Sequence, residues 1–394
     1  MRIAIITENF LPKLDGVTRT IARLLEHLQA TGHQALLLGP ESGMERYAGA
    51  EVVGTAGVPL PFYPELKFNF FRPLFVRRLI EFQPGVIHVV DPVVLGAVGL
   101  AAAHFLRVPI VSSYHTNLAA YCEPFGFGLL TRPMWLYNRF IHSQCALTFC
   151  PSPSTAAMLH AQGFEHLCIW PRGVDTDLFR PERRSEELRA RWLEGRSEPE
   201  RKRILLYVGR VSWEKNLRLL VQAYRQMDHA TCHLVVVGDG PALAEIQHEL
   251  CDVPATFTGY LTDKSLAEAY ASADIFAFPS YTETFGQVVL EAMASGLPVV
   301  GLLADGVRDL ITHEHSGLLL DTEQLAQEEQ AGAYRALLER LVADEQVRLS
   351  MGQAALAEAR KRSWFEAMEC VIRGYQEVIA ANHKPDKPDV PVAV

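Results

Sequence analysis

Short β-branched runs alternate with longer helical patterns, and they do so twice; no other feature limits the fold of this chain as much. In the first half the runs fall at residues 3–7, 34–38, 86–90, 109–114 and 147–150, with a helical pattern over 16–30. After a polar stretch rich in Arg and Glu at 180–203, the rhythm restarts at 204–208, 233–237, 256–258, 275–278 and 297–300, and the clearest helical patterns there cover 265–272 and 287–294. This is the rhythm of a parallel sheet wrapped by helices, since each parallel return needs a crossover. The expected fold is α/β, with two doubly wound Rossmann-like domains. At 394 residues the chain is long enough for two such cores. We place them at 1–172 and 173–363, followed by an amphipathic helix at 364–382. The last stretch, 383–394, is expected to be disordered, since its Pro, Lys and Asp content gives it no reason to fold.

A 49% hydrophobic and 21% charged composition excludes disordered, collagen-like and disulfide-scaffold classes. Seven cysteines at 122, 145, 150, 168, 232, 251 and 370 form no C-x-x-C pair, which points to a reducing, cytoplasmic setting. The opening Met-Arg-Ile-Ala-Ile-Ile-Thr is too short and too soon interrupted by Glu8 to read as a signal peptide. The longest apolar run, 93–103, is too short for a bilayer and is rich in Ala and Gly, as a buried helix is. Net charge is −9, which argues against nucleic acid as a partner. That charge is uneven. Residues 1–172 hold 13 Lys+Arg against 11 Asp+Glu and the remainder 24 against 35, so the halves carry +2 and −11. An N-terminal face that meets something anionic, such as a membrane's inner surface, fits this asymmetry.

Open α/β sheets bind ligands beyond the carboxyl ends of their strands, and two such sheets facing one another would make a cleft. The residues that follow the strands are therefore the ones that matter. Gly209 and Arg210 follow the run at 204–208, and Lys215 lies five residues after the arginine; two cations on a strand-to-helix loop suit a diphosphate, or else a solvated loop whose lysine pairs with a carboxylate. Glu283 and Glu291 bracket Thr-Phe-Gly-Gln-Val-Val-Leu. A loop carboxylate at Glu283 can accept from sugar hydroxyls, and Gly286 lets backbone amides approach a ligand. The bland alternative is an acidic helix start, with Glu291 on a wet face. His115 ends its strand in Ser-Tyr-His-Thr, where it is either a cleft histidine or a structural one.

Other motifs carry less. Gly238-Asp-Gly240 follows a strand, yet Leu243 replaces the third glycine of a dinucleotide fingerprint. His313-Glu-His315 precedes Ser-Gly and reads as a turn, and Asp175-Thr-Asp177 as a turn or cap. No metal site is expected. The segment from Pro59 to Arg78 mixes aromatic and basic residues. With Tyr63, Lys67, Phe70 and Arg72, together with Tyr114, it is a candidate to line an acceptor site or rest on anionic lipid; its alternative is an ordinary loop before a helix begun by Pro73.

Taken together, Gly209-Arg210 with Lys215, the segment from Glu283 through Glu-Ala-Met-Ala-Ser-Gly-Leu-Pro-Val-Val, and the connector Arg-Gly-Val-Asp-Thr-Asp-Leu-Phe-Arg-Pro resemble the retaining glycosyltransferases of the GT-B fold, family 4. The resemblance runs from Thr-Glu-Asn-Phe-Leu-Pro near the N-terminus to the closing helix, which in this fold crosses back to the N-terminal domain. It implies that Arg210 and Lys215 bind the donor diphosphate, Glu283 the donor sugar's hydroxyls and Glu291 the ribose. It also implies that the backbone at Phe285, Gly286, Gln287 and Val288 cradles sugar and phosphate, with Gly209 beside them. His115 would lie near the anomeric centre, and Gly16 would let the first loop approach the diphosphate. Asp15 stands where a second glycine is frequent. The resemblance further implies a nucleoside-diphosphate sugar as substrate, no cofactor or metal, and front-face substitution. Bacterial mannosyltransferases of glycolipids and sulfoquinovosyl or other glycosyl diacylglycerol synthases lie close, so the expected acceptor is a glycolipid or another membrane-associated hydroxyl. A nucleotide-sugar epimerase, a non-catalytic binder and a transferase for soluble glycans are the competing readings.

Overall fold

The computed structural model describes residues 1–12, 16–60, 63–70, 72–117, 119 and 128–382, without the side chains of 59–60 and 63–68. The tail at 383–394 and Asp15 lie outside the described residues. The backbone divides into two compact units: one comprises residues 1–151, 156–171 and the chain from Phe365 onward, the other 152–155 and 172–364.

The first unit is built on strands β1 (Arg2–Thr7), β2 (Gln34–Pro40), β3 (Arg46–Tyr47) and β4 (Ala50–Thr55). A hairpin, β5 (Gly57–Leu60) and β6 (Tyr63–Asn69), comes next, then β7 (Val86–Val90), β8 (Ile110–Ser113), β9 (Leu147–Cys150) and β10 (Leu167–Ile169). Eight of these strands form one sheet in the order β10-β9-β8-β7-β1-β2-β4-β3, parallel except where β3 pairs antiparallel with β4. The central strands are buried along their length, as expected of a sheet covered on both faces. Helix Gly16–Ala30 turns Ile21, Leu24, Leu25 and Leu28 inward.

The apolar run near residue 100 is a helix, Leu95–Leu106, laid so close to the sheet that a Cβ on Gly99 would stand 2.5 Å from Ile6 Cδ1. Its N-terminus is closed by Glu8, whose Oε1 accepts from the backbone N–H of Val94 and Leu95, both at 2.6 Å. A carboxylate there satisfies helix-end amides and complements the helix dipole. The closing helix, Trp364–Asn382, belongs to the first unit: Gly374 abuts Phe149, and Met368, Val371, Ile372 and Tyr375 are buried.

The second unit holds β11 (Arg203–Val208), β12 (Cys232–Val237), β13 (Ala255–Gly259), β14 (Ile275–Phe278), β15 (Val299–Leu302) and β16 (Gly317–Leu320), all parallel, in the order β13-β12-β11-β14-β15-β16. The α/β expectation holds in both units.

Two local readings need correction, and one stretch left without an element gains a helix. The stretch before Pro73 is a hairpin rather than an ordinary loop; both of its strands are edges, where prolines at 59 and 64 are tolerated. The polar stretch 180–203 contains a capped helix, Glu186–Trp192, which buries Arg189 against Asp274 at 3.0 Å. Strand β15 begins two residues later than expected, because Pro298 has no N–H to give the ladder.

Burial lowers the pKa of His88 to about 3 and those of His142 and His233 to about 4, from an ordinary value of 6.5. The unfolded chain therefore binds more protons than the folded one between those values, and stability present above pH 6.5 is lost as pH falls. The urea midpoint is expected to decline steadily from neutral pH toward pH 4, each histidine contributing up to about 1.4 kcal/mol per pH unit. A flat midpoint over that range contradicts the assignment of three neutral buried imidazoles.

Candidate active site

In the second unit the strand order reverses between β11 and β14, so the loops after these two neighbours leave the same sheet edge side by side. The first runs through Gly209, Arg210 and a single 3-10 turn, Trp213–Lys215, into helix Leu217–Arg225. The second runs from Pro279 to Gly286 and opens helix Gln287–Ala294. They meet in an ion pair: Lys215 Nζ donates to Glu283 Oε1 at 2.6 Å, with the two side chains 18% and 19% exposed. Ser280 Oγ donates to the same oxygen at 3.1 Å. Asn216 Nδ2 donates to the Pro279 carbonyl, tying the loops a second time. The carboxylate open to the lysine in the sequence is thus Glu283, while Glu214 sits 3.9 Å from Arg210 Nε.

Arg210 is aimed by its backbone, whose carbonyl accepts from Tyr207 OH at 2.9 Å. Burial, with the charges of Glu283 and Glu214, raises the Tyr207 pKa well above 10, so that hydroxyl remains a donor. The Gly-Asp-Gly motif finds its use here. A Cβ on Gly238 would lie 1.9 Å from the Gly209 carbonyl oxygen, and one on Gly240 would lie 2.3 Å from that of Val211. These glycines let the loop after β12 pack directly on the loop that carries Arg210.

Gly286, at φ 88°, precedes helix Gln287–Ala294 in a backbone conformation that side chains with a Cβ resist. The amides at the start of that helix are presented at the strand-end edge, where an anion finds donors and a favourable dipole. Phe285 is buried, and the Thr284 carbonyl accepts from Ser152 Oγ and Thr155 Oγ1, both at 3.0 Å. Val288 packs partly into the core, and Gln287 Nε2 donates to the Gly173 carbonyl at 3.1 Å. Glu291 is not on a wet face: it is 4% exposed, and Tyr270 OH donates to it at 3.2 Å.

In the first unit, His115 is 7% exposed. Its backbone N–H donates to Asp91 Oδ1 at 2.6 Å, its Nε2 lies 2.8 Å from Ser113 Oγ, and its ring meets Trp170 edge-on at 5.3 Å. Gly16 opens helix Gly16–Ala30 with nothing within 4 Å of a notional Cβ. Among the acceptor candidates, Phe70 is 53% exposed and Arg72 donates to the Gly54 carbonyl. The side chains of Tyr63 and Lys67 lie outside the described residues. Tyr114 is corrected: it is a core residue, 2% exposed, packed with Cys150, Leu159 and Phe164, so its ring lines no open surface.

Asp175 accepts from the backbone N–H of Asp177 and Leu178, as a turn cap does, and His313 to His315 lie in a turn. Sequence reasoning missed Ser280, Tyr207, Asn216 and Tyr270. Ser280 stood two residues past a strand end and was findable; the others act through contacts that no local pattern reports.

Two family models match the chain: "Glycosyltransferase Family 4" over residues 14–178 and "Glycosyl transferases group 1" over 189–357. A GDP-mannose-dependent alpha-mannosyltransferase of Corynebacterium glutamicum is 34% identical over 98% of this chain and 91% of its own. Sulfoquinovosyl transferase SQD2 of Arabidopsis thaliana is 35% identical over 89% and 68%, and an alpha-monoglucosyldiacylglycerol synthase of Streptococcus pneumoniae 28% identical over 81% and 75%. In fold, a sucrose-phosphate synthase from Thermosynechococcus elongatus superposes with a TM-score of 0.76 at 20% identity, over 96% of this chain and 99% of that one.

Gly238→Ala is expected to force apart the loops after β11 and β12, costing about 1–3 kcal/mol in chemical denaturation and weakening binding of a nucleoside diphosphate measured by calorimetry. Wild-type stability in that variant would show that the close approach is dispensable.

Proposed function

Because the chain belongs to glycosyltransferase family 4, whose members use nucleotide-sugar donors, we propose that it moves a hexosyl unit from a nucleoside-diphosphate sugar to a hydroxyl of a lipid acceptor, with retention of configuration. The observation that carries the reading is the Lys215–Glu283 pair, backed by Arg210, beside the start of helix Gln287–Ala294. It sets cations for a diphosphate next to a carboxylate for sugar hydroxyls.

In the reaction the bond from the anomeric carbon to the leaving phosphate breaks as a bond to the acceptor oxygen forms on the same face. The acceptor's proton passes to the departing phosphate oxygen. Charge builds on that phosphate while the sugar becomes oxocarbenium-like, and fixed cations at Arg210 and Lys215 lower the barrier by stabilising it. Glu283 orients the sugar, Glu291 takes the ribose hydroxyls, and the amides from Phe285 to Val288 cradle sugar and phosphate. Gly209 and Gly16 leave room for the donor, and His115 serves at the anomeric centre.

A lipid acceptor is supported by the first unit's surface. Leu129, Leu136 and Phe140 are 96%, 52% and 61% exposed on and beside helix Thr131–Ser143. Arg132 and Arg139 on that helix have no ion pair among the described residues and, with Trp135, line an open cavity of about 320 Å³. Exposed apolar groups beside cations suit a peripheral contact with anionic lipid. Among the described residues no helix is long and apolar enough to cross a membrane. One relative is named for GDP-mannose, another for sulfoquinovosyl transfer and a third for a glucosyldiacylglycerol product, which defines the donors to test.

The purified protein in EDTA is expected to release nucleotide from one of GDP-mannose, UDP-glucose, UDP-galactose or UDP-sulfoquinovose, and faster when a bacterial lipid extract is added. Slow hydrolysis without a lipid effect would move the acceptor to a soluble glycan. Isomerised sugar, or release only after metal is restored, would overturn the mechanism. Arg210→Ala and Lys215→Ala should each lower turnover by about a hundredfold or more; near-normal turnover in either removes its proposed role.

A further inference from the structure

A line of hydrogen bonds runs through the first unit from the closing helix to His115. Tyr375 OH lies 2.6 Å from His88 Nδ1, His88 Nε2 2.8 Å from Ser113 Oγ, and Ser113 Oγ 2.8 Å from His115 Nε2. Tyr375, His88 and Ser113 are completely buried, and the rings of Phe149 and Trp170 flank the His88 imidazole, each at about 5.8–5.9 Å or less from it or from one another.

The donor directions follow from where each proton can go. Tyr375 OH has one partner among the described residues, His88. If His88 donated from Nδ1, the tyrosine's own proton would be buried without an acceptor, at the cost of a lost hydrogen bond. Tyr375 therefore donates to Nδ1. Burial keeps His88 neutral, with its pKa lowered to about 3, so its single proton sits on Nε2 and goes to Ser113. The serine hydroxyl, having accepted, donates onward to His115 Nε2.

We propose that Tyr375, His88 and Ser113 form a one-way hydrogen-bond relay that holds His115 in the tautomer with its proton on Nδ1, which makes these three positioning residues for that histidine. The tautomer follows from the hydrogen-bond geometry with His88 neutral, and its consequence for turnover rests on the transferase reading. A histidine so fixed carries its N–H on Nδ1 while Nε2 is committed as an acceptor. The closing helix thereby sets the hydrogen-bonding character of a residue just beyond a strand end.

The test is a long-range proton–nitrogen spectrum of the full chain labelled with 15N-histidine near neutral pH, the His115 signals being identified by their loss in His115→Asn. His115 is expected to carry its proton on Nδ1 and His88 on Nε2. A His115 protonated on Nε2, or a His88 protonated on Nδ1, overturns the relay, and this readout needs no positioning variant to fold. In Tyr375→Phe the His115 signals should move toward a mixture of tautomers, and kcat should fall about tenfold with the donor KM changed less than about twofold. An unchanged His115 spectrum in that variant also overturns it. Full turnover in His115→Ala would instead sink the proposed role of His115 in transfer, leaving the spectral result to judge the relay separately.

Discussion

A parallel strand leaves its sheet at the carboxyl edge and must cross a helix before the chain can pair again, and the rest of this molecule is arranged around that constraint. Every crossover deposits a loop on the same edge. Where the strand order reverses, between β11 and β14, two loops from adjacent strands leave toward opposite faces with room between them. Lys215 and Glu283 meet there, although 68 residues separate them. The glycines at 238 and 240 answer the crowding that follows, since the loops after β11 and β12 share one edge and only backbone without a Cβ fits against the Gly209 and Val211 carbonyls.

Helix ends and buried polar groups come under a second constraint, that each donor and acceptor inside must be answered. Glu8 answers the amides of helix Leu95–Leu106, Ser152 and Thr155 answer the Thr284 carbonyl, and Tyr270 answers Glu291. The same requirement gives the hydrogen bonds from Tyr375 to His115 a direction. In these cases a polar group from another element decides how each group is held. The membership of the chain in glycosyltransferase family 4 is consistent with this economy, because transfer from a diphosphate sugar asks for charge and hydrogen-bond direction fixed in advance of the reaction.

The sequence by itself located five strands of each sheet, while β4, β10, β16 and the helices Thr131–Ser143, Gln327–Ala343 and Glu345–Ala359 were not read from it. Runs 86–90, 147–150 and 275–278 are strands with those bounds, and helix Gln287–Ala294 has the bounds its pattern indicates, because period and turn residues report which face of a segment is buried. It also determined the residue types at the strand ends, including Arg210, Lys215 and Glu283. The hairpin over 57–69 escaped, since prolines and aromatics mask alternation, and so did the helix within 180–203, whose polar surface hides buried Arg189 and Trp192. What only the tertiary structure decided is which partner each buried group meets. Glu291 faces Tyr270 rather than water, Tyr114 enters the core, and Tyr375 reaches His88 across 287 residues. A local pattern fixes that a face is buried, but which two buried faces meet is set by the order of strands in the sheet and the return of the last helix, and neither is written in any one stretch of the chain.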